Sequence, residues 1–165
     1  MTIESSLVIR SAVVTDVPIL FELIQALAEY EKLADAVIGS AQLLEAHLFG
    51  HRPYAEAVLS EVSGKAAGFA LFFPSYCTFL TQPVIYLEDL FVLAEYRGQG
   101  IGKALIAHVA QVAVSRRCGR MEWSVLVWNQ PAIDFYHRMG ATILDDWQTC
   151  RIDAVSLTDL ARTAV

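Results

Sequence analysis

Residues 96–102 of the chain read YRGQGIG, a glycine-rich turn from Tyr96 to Gly102. An apolar segment of strand type precedes the turn. An apolar stripe at helical spacing follows it: Ile101, Leu105, Val109 and Val112. Glycines at such a turn let the backbone approach a ligand and direct unpaired N–H groups at it. Because the start of a helix also carries a partial positive charge, we predict an anion site, to which Arg97 can add a bidentate phosphate contact.

Two common nucleotide-binding motifs do not fit this turn. A dinucleotide-binding fingerprint that starts at Gly98 needs glycine or alanine at the position of Lys103. A P-loop that ends at Gly102-Lys103 needs Ser or Thr at Ala104 and glycine at Arg97. The turn therefore predicts a phosphate site of another kind. The alternative, a glycine-rich loop without a ligand, stays open at this point.

The rest of the chain predicts alternating strands and helices. The predicted strands are Leu7–Arg10, Glu56–Val62, Ala66–Phe73, Val84–Val92 and Glu122–Val127, followed by a terminal hairpin at Ala141–Asp153. The predicted helices run from a cap at Thr15 to about Tyr30, from a cap at Ser40 to Gly50, from Ile101 to Gly119, from a cap at Asn129 to Gly140, and weakly from Ser156. This order predicts one α/β domain over residues 1–165, with a mixed sheet and helices on both faces.

Composition and charge narrow the possible functions. The chain has 165 residues, a net charge of −6 and 55% hydrophobic residues, so a subunit interface or a well-buried sheet must cover much apolar surface. It has neither a basic stripe nor a membrane-length apolar run nor a signal-peptide pattern, so we predict a cytoplasmic protein without nucleic-acid or membrane partners. The three cysteines and four histidines lack metal-site spacing, so we predict no metal.

The turn and several other segments resemble the GNAT acetyltransferase superfamily. The pattern R-x-x-G-x-G from Arg97 to Gly102 matches its pyrophosphate-binding signature. The further segments are YLEDLFV at 86–92, WNQPAIDFY at 128–136, VIR at 8–10 and LAEYE at 27–31. Together they are similar to the diamine acetyltransferases of the spermidine/spermine type and to their thialysine-acetylating relatives, over nearly the whole chain. The resemblance implies the GNAT fold with a mixed, mostly antiparallel sheet, and a homodimer.

The resemblance also implies a function and the residues that carry it. Acetyl-CoA would lie between the strands at Val84–Val92 and Glu122–Val127 and donate its acetyl group to a small primary amine in a ternary complex. The implied residues for acetyl-CoA are Leu90, Phe91, Val92, Arg97, Gly98, Gln99, Gly100, Ile101, Gly102, Lys103 and Asn129. The implied catalytic residues are Tyr136, as general acid for the leaving thiolate, and Glu88, which contacts the amine and can accept its proton through a water. The implied substrate-binding residues are Tyr30, Glu31, Glu88, Glu122, Trp123 and Ser124.

Several of these residues also have a structural interpretation. Tyr136 belongs to an apolar stripe at helical spacing and can be a core residue: Ala132, Phe135, Tyr136 and Met139. Glu88 and Asp89 interrupt an apolar strand, and alternation sends them to opposite faces, where Glu88 can pair with an arginine or cap a helix. Tyr30 and Glu31 can form an ordinary solvated helix end.

The acceptor amine is less defined than the donor. An amine with a pKa near ~10.4 is almost entirely protonated at pH 7, so the site must accept a proton from it. Polyamine acetyltransferases carry an acidic residue in the loop that corresponds to residues 75–83, and this chain has none there. The acceptor is therefore a polyamine or a lysine analogue. The alternatives are a protein amine, an aminoglycoside-like compound, or no acceptor at all in a non-catalytic acyl-CoA sensor.

Overall fold

The structure is a computed structural model that describes residues 6–164. These residues form two compact units, which divide between Ser124 and Val125. The strands of the first unit are β1 (Leu7–Ser11), β2 (Glu56–Val62), β3 (Lys65–Cys77), β4 (Gln82–Val92) and β5 (Met121–Glu122), and its helices are α1 (Val17–Tyr30), α2 (Ala41–Phe49) and α3 (Ile101–Ser115). The second unit contains α4 (Gln130–Arg138) and α5 (Ala154–Ala161). None of the described helices combines the length and apolar character that crossing a membrane requires.

The five strands form one sheet in the order β1-β2-β3-β4-β5. The pairings from β1 to β4 are antiparallel, whereas β4 and β5 run parallel. Short turns join β2 to β3 and β3 to β4, whereas α1 and α2 lie between β1 and β2. The parallel pair needs a crossover, which α3 supplies. The predicted mixed, mostly antiparallel sheet is therefore confirmed.

Helices cover both faces of the sheet. Leu59, Phe69 and Phe91 lie in register on neighbouring strands and pack in one buried cluster with Leu20 and Leu23 of α1. Their neighbours along the strands point to the opposite face, where α3 packs against β1 to β4. The residues that α3 buries include Ile101, Leu105 and Val109. The apolar stripe predicted from the sequence is thus the core-facing side of this helix.

An ionic network fixes the start of α1. Arg10 donates hydrogen bonds to both carboxylate oxygens of Asp16, at 2.6 and 2.9 Å, and also to Glu61 on β2. The backbone N–H of Val13 donates to Asp16 as well, at 2.7 Å. The Arg10 guanidinium holds the pKa of the buried Asp16 below its usual range. The cap position of α1 is Asp16, because residues 14–16 form a short 3-10 helix before it, and the predicted cap at Thr15 is wrong by one residue.

Three other element boundaries differ from the sequence prediction. β3 extends to Cys77 and β4 begins at Gln82, so the predicted loop at 75–83 shrinks to a turn at 78–81. This happens because antiparallel pairing continues to Cys77 and Gln82. The helix α3 ends at Ser115 rather than at Gly119, since Arg117 already has a left-handed backbone with φ of 56°. β5 has two residues rather than the six of the predicted strand at 122–127, because it pairs with β4 over two residues only.

The C-terminal segment also differs from the prediction. No strand forms at 141–153 within the described part of the chain, so the predicted hairpin is wrong. Apolar side chains of this segment are exposed, Trp147 by 71%, and a strand without a partner or a covered face has nothing to stabilise it. The last helix starts at Ala154 rather than near Ser156, because the Asp153 carboxylate accepts a hydrogen bond from the N–H of Ser156 and caps it.

Candidate active site

The glycine-rich turn has the backbone that an anion site needs. Gly98 and Gly100 have positive φ angles of 76° and 81°, which favour glycine strongly. A Cβ atom built at either position would meet no atom within 4 Å, so the space beside the turn is open. Among the described residues, the first backbone hydrogen bond of α3 runs from the N–H of Ala104 to the carbonyl of Gly100. The N–H groups at the start of α3 that precede Ala104 have no acceptor within the helix and are therefore potential ligands for an anion beside the turn.

Arg97 links the turn to β4 and to the end of α1. Its Nε donates a hydrogen bond of 2.9 Å to the carbonyl of Val92, the last residue of β4. Its guanidinium carbon lies 4.5 Å from the centre of the Tyr30 ring and 5.5 Å from that of Phe91. Because Nε is engaged, the predicted phosphate contact would use the two terminal nitrogens of Arg97.

A β-bulge lies in the middle of β4. Leu87 pairs with Phe72 and Asp89 pairs with Leu71, so two consecutive β3 residues face three β4 residues and Glu88 is the extra one. A bulge breaks strict alternation, so the predicted opposite orientation of Glu88 and Asp89 cannot be carried across it. Glu88 is exposed and Asp89 is half-buried. Bulges are common beside active sites, where they redirect side chains.

Asp89 is the titratable residue that sequence reasoning did not select. Burial raises its pKa to about 7, and the carboxylates of Glu88 and Glu31 add to the increase. Burial also raises the pKa of Glu31, which follows the last residue of α1. The structure therefore brings predicted residues Glu31 and Glu88 together around Asp89 in an acidic cluster. A carboxylate that titrates near neutrality beside two others is typical of a functional site that takes a cation or a proton.

The strands β4 and β5 separate shortly after they meet. Their described pairing consists of Ile85 with Met121 and Tyr86 with Glu122, whereas β4 continues to Val92. On its other side the same part of β4 stays paired with β3. The predicted donor-binding residues Leu90, Phe91 and Val92 all lie in this stretch. One backbone edge of β4 is thus open to an extended ligand, which can add to it like a further strand.

Three predicted substrate residues lie at the end of β5 and directly after it, in the first unit: Glu122, Trp123 and Ser124. The carboxylate of Glu122 forms an ion pair of 2.7 Å with Arg120, and both side chains are partly exposed. Trp123 is half-buried. The hydroxyl of Ser124 lies 2.9 Å from the hydroxyl of Tyr86 on β4. The structure therefore connects Ser124 to the strand that carries the acidic cluster, while Glu122 already has a cationic partner.

Two further predicted residues lie on α4 in the second unit. Asn129 is buried and caps the helix, since its side-chain oxygen accepts a hydrogen bond from the N–H of Ala132 at 3.4 Å. Tyr136 is the buried residue of α4, with its ring edge-on to Phe135 at 5.3 Å. Burial agrees with the apolar stripe seen in the sequence. The role of the Tyr136 hydroxyl as a general acid stays a prediction.

A mixed sheet with a glycine-rich turn between a bulged strand and a helix is the arrangement expected of a GNAT-type acyltransferase. The chain belongs to the acetyltransferase (GNAT) family, whose sequence model matches residues 21–141. The family confirms the predicted fold and the prediction of an acetyl-CoA-dependent N-acetyltransferase.

Individual relatives are similar over nearly the whole chain. A thialysine N-epsilon-acetyltransferase of Sus scrofa is 36% identical, over 95% of this chain and 98% of the relative. The L-ornithine N5-acetyltransferase NATA1 of Arabidopsis thaliana is 32% identical, over 92% and 87% respectively. Among solved structures, an integron cassette protein from the mobile metagenome of V. cholerae superposes with a TM-score of 0.79 at 25% identity, covering 96% of this chain and 99% of that one.

Proposed function

We propose that the protein transfers the acetyl group of acetyl-CoA to the primary amine of a small molecule, by direct attack in a ternary complex. One observation carries this proposal: β4 leads from the acidic cluster at Glu88 and Asp89 straight to the anion-binding turn after Val92. A donor with a pyrophosphate and an acceptor with an ammonium group can therefore be held by the same strand.

The turn and the strand edge fit the donor. The pyrophosphate would be bound by backbone N–H groups of residues 98–103, at the positive end of α3. At Leu90, Phe91 and Val92 the edge of β4 that faces away from β3 would bind the amides of the pantetheine arm, with the carbonyl of Val92 already accepting a hydrogen bond from Arg97. Asn129 would also contact the donor, as the family resemblance implies.

The acidic cluster fits a cationic acceptor. Asp89, Glu88 and Glu31 supply the negative charge for it, while the rings of Tyr30 and Phe91 already lie against the guanidinium of Arg97. Carboxylates are groups that bind an ammonium ion. The relatives named for thialysine and L-ornithine support an amino-acid-like amine. The turn at 78–81 holds no acid for the second ammonium group of a polyamine, whereas the α-ammonium group of a lysine analogue is balanced by its own carboxylate.

Three proton transfers accompany the reaction. The ammonium group must lose a proton before its nitrogen can attack the thioester carbon, and the cluster of Glu88 and Asp89 is the acceptor for that proton. A C–N bond then forms as the C–S bond breaks. The hydroxyl of Tyr136 donates a proton to the departing thiolate. The newly acylated nitrogen still carries one proton more than the amide product, and this proton restores the hydroxyl of Tyr136. The products are the acetylated amine and coenzyme A.

A thiol-release assay with a panel of amines tests the proposed function. The panel contains thialysine, ornithine, lysine, spermidine, a peptide with a free N-terminus and an aminoglycoside. We expect the highest kcat/KM for one of the three amino acids. A higher kcat/KM for spermidine, the peptide or the aminoglycoside would contradict the acceptor class. Binding of coenzyme A without turnover on any amine would indicate the non-catalytic sensor instead.

The variant Asp89→Asn is expected to raise KM for the amine about tenfold, because a neutral amide attracts an ammonium ion less than a carboxylate does. In the wild type, kcat/KM should also fall as the pH drops below about 7, the pKa of Asp89. Steady-state kinetics from pH 5 to 9 should show this decrease in the wild type and not in the variant. The exposed Asp35 provides the matched control, and Asp35→Asn should leave both quantities unchanged.

The same variant should be more stable than the wild type at high pH. Since the pKa of Asp89 is about 7 when folded and near 3.8 when unfolded, folding binds a proton between these values and stability falls as the pH rises through them. The amide removes this effect. In urea unfolding the variant should gain up to about 4 kcal/mol at pH 8 and almost nothing near pH 4. Equal stability at pH 8 would contradict the burial of a charged Asp89.

We further propose a homodimer of the 18.2 kDa chain. The high apolar content and the family resemblance motivate it, and closed two-fold dimers are the commonest soluble oligomers. Large apolar side chains that remain exposed in the second unit support it, among them Trp147, Val155 and Leu160. Sedimentation velocity at micromolar concentration should give the mass of two chains, and a monomer there would count against the proposal.

A further inference from the structure

A side-chain hydrogen bond crosses the opening between β4 and the chain that follows β5. The hydroxyl of Tyr86 lies 2.9 Å from that of Ser124. Tyr86 is also the last β4 residue paired with β5, through Glu122, so Ser124 stands two residues beyond the end of the backbone ladder. Where the backbone pairing stops, the two hydroxyls therefore continue the connection.

Tyr86 is held firmly on the side away from Ser124. Its ring stacks on Phe73 of β3, with the ring centres 5.2 Å apart and the planes at 28°. The two residues are also direct neighbours in the antiparallel ladder of β3 and β4. The Tyr86 hydroxyl is thus presented by the rigid part of the sheet, and the hydrogen bond transmits that position to Ser124.

Residues 123 and 124 lie beyond the last described backbone pair of β4 and β5 and lack regular strand structure. We propose that the Tyr86–Ser124 hydrogen bond is a positioning pair, which holds the opening between β4 and this segment at the width that the pantetheine arm of the donor needs. The inference rests on the proposed function, because that function places the donor along β4. Without the hydrogen bond the segment must be ordered at the moment of binding, and that ordering lowers affinity.

The test measures the affinity of coenzyme A for the full-length protein by calorimetry. Tyr86→Phe keeps the ring that stacks on Phe73 and removes the hydroxyl, and we expect affinity to fall about fivefold, the effect of one neutral hydrogen bond. Ser124→Ala should reduce it equally. The double variant should bind no more weakly than either single one, since both remove the same interaction. Ser124→Thr keeps a hydroxyl and should restore most of the affinity.

The control is Tyr76→Phe, which removes an exposed hydroxyl from β3 and should leave affinity unchanged. Unchanged affinity in Tyr86→Phe and Ser124→Ala, or additive losses in the double variant, would overturn the positioning role while the proposed function stands. Tighter binding in the single variants would also overturn it, because it would mean that the pair must open to admit the donor. Failure of the wild type to bind coenzyme A would overturn the proposed donor and this inference with it.

Discussion

Replacing Gly100 with valine is expected to weaken coenzyme A binding about a hundredfold or more, through strain and through lost contacts to the pyrophosphate. Gly100 is the cap position of α3 and has a φ of 81°. A β-branched residue adopts this backbone only at considerable strain. Because a Cβ there meets no atom within 4 Å, the protein has room for the side chain, which would occupy the space beside the turn that the pyrophosphate needs.

Gly64 offers a matched control for this substitution. It lies in the turn between β2 and β3, has a φ of 77°, and would also place a Cβ in open space. Gly64→Val therefore introduces a similar backbone strain at a position outside the proposed site. Calorimetric titration should show wild-type affinity for this control and a large loss for Gly100→Val. Equal affinity of the two variants for coenzyme A would contradict the pyrophosphate assignment of the turn.

Features set by neighbouring residues were predicted well. The helix α2 begins after Ser40, whose side chain accepts a hydrogen bond from the N–H of Leu43, and ends before Gly50. The positive φ angles of Gly98 and Gly100 likewise follow from the glycines themselves. In each case the residue that decides the conformation lies within a few positions of the backbone that it controls, so the sequence pattern contains the information.

Features set by distant residues were predicted poorly. The cap of α1 is Asp16 rather than Thr15, because the short 3-10 helix at 14–16 precedes it, and the Asp16 carboxylate is held there by Arg10 of β1. The bulge at Glu88 depends on how β3 and β4 pair, and strict alternation along one strand cannot reveal it. The length of β5 and the absence of a strand at 141–153, among the residues described, depend in the same way on which partner strand is available.

The candidate site shows the same division. The sequence and the family resemblance selected Glu31 and Glu88, but the group with the largest pKa change among the described carboxylates of β4 is Asp89. A signal was present, since two consecutive carboxylates interrupt an apolar strand. Burial raises the pKa of Asp89. The environment that buries it includes the bulge of β4 and the end of α1. Neither can be predicted from local spacing.

The largest kinetic effect is expected for Tyr136→Phe, which should lower the single-turnover rate about 10²–10⁴-fold, the usual contribution of general acid catalysis. Phenylalanine retains the ring that packs edge-on against Phe135, so α4 should remain folded. The substitution removes the hydroxyl and with it the proton for the departing thiolate. Affinity for acetyl-CoA should stay near that of the wild type, because the interaction is made in the transition state rather than in the ground state.

Rapid-mixing measurements with enzyme in excess are the appropriate test, since slow product release would hide part of the effect in kcat. The control is Tyr54→Phe, in which the lost hydroxyl belongs to a side chain that is 72% exposed. A large loss of rate in Tyr136→Phe alone, with unchanged affinity for acetyl-CoA, would identify the hydroxyl as the proton donor. If Tyr136→Phe keeps the wild-type rate from pH 6 to 9, Tyr136 is a core residue without a catalytic role. The thiolate must then take its proton from another group or from water.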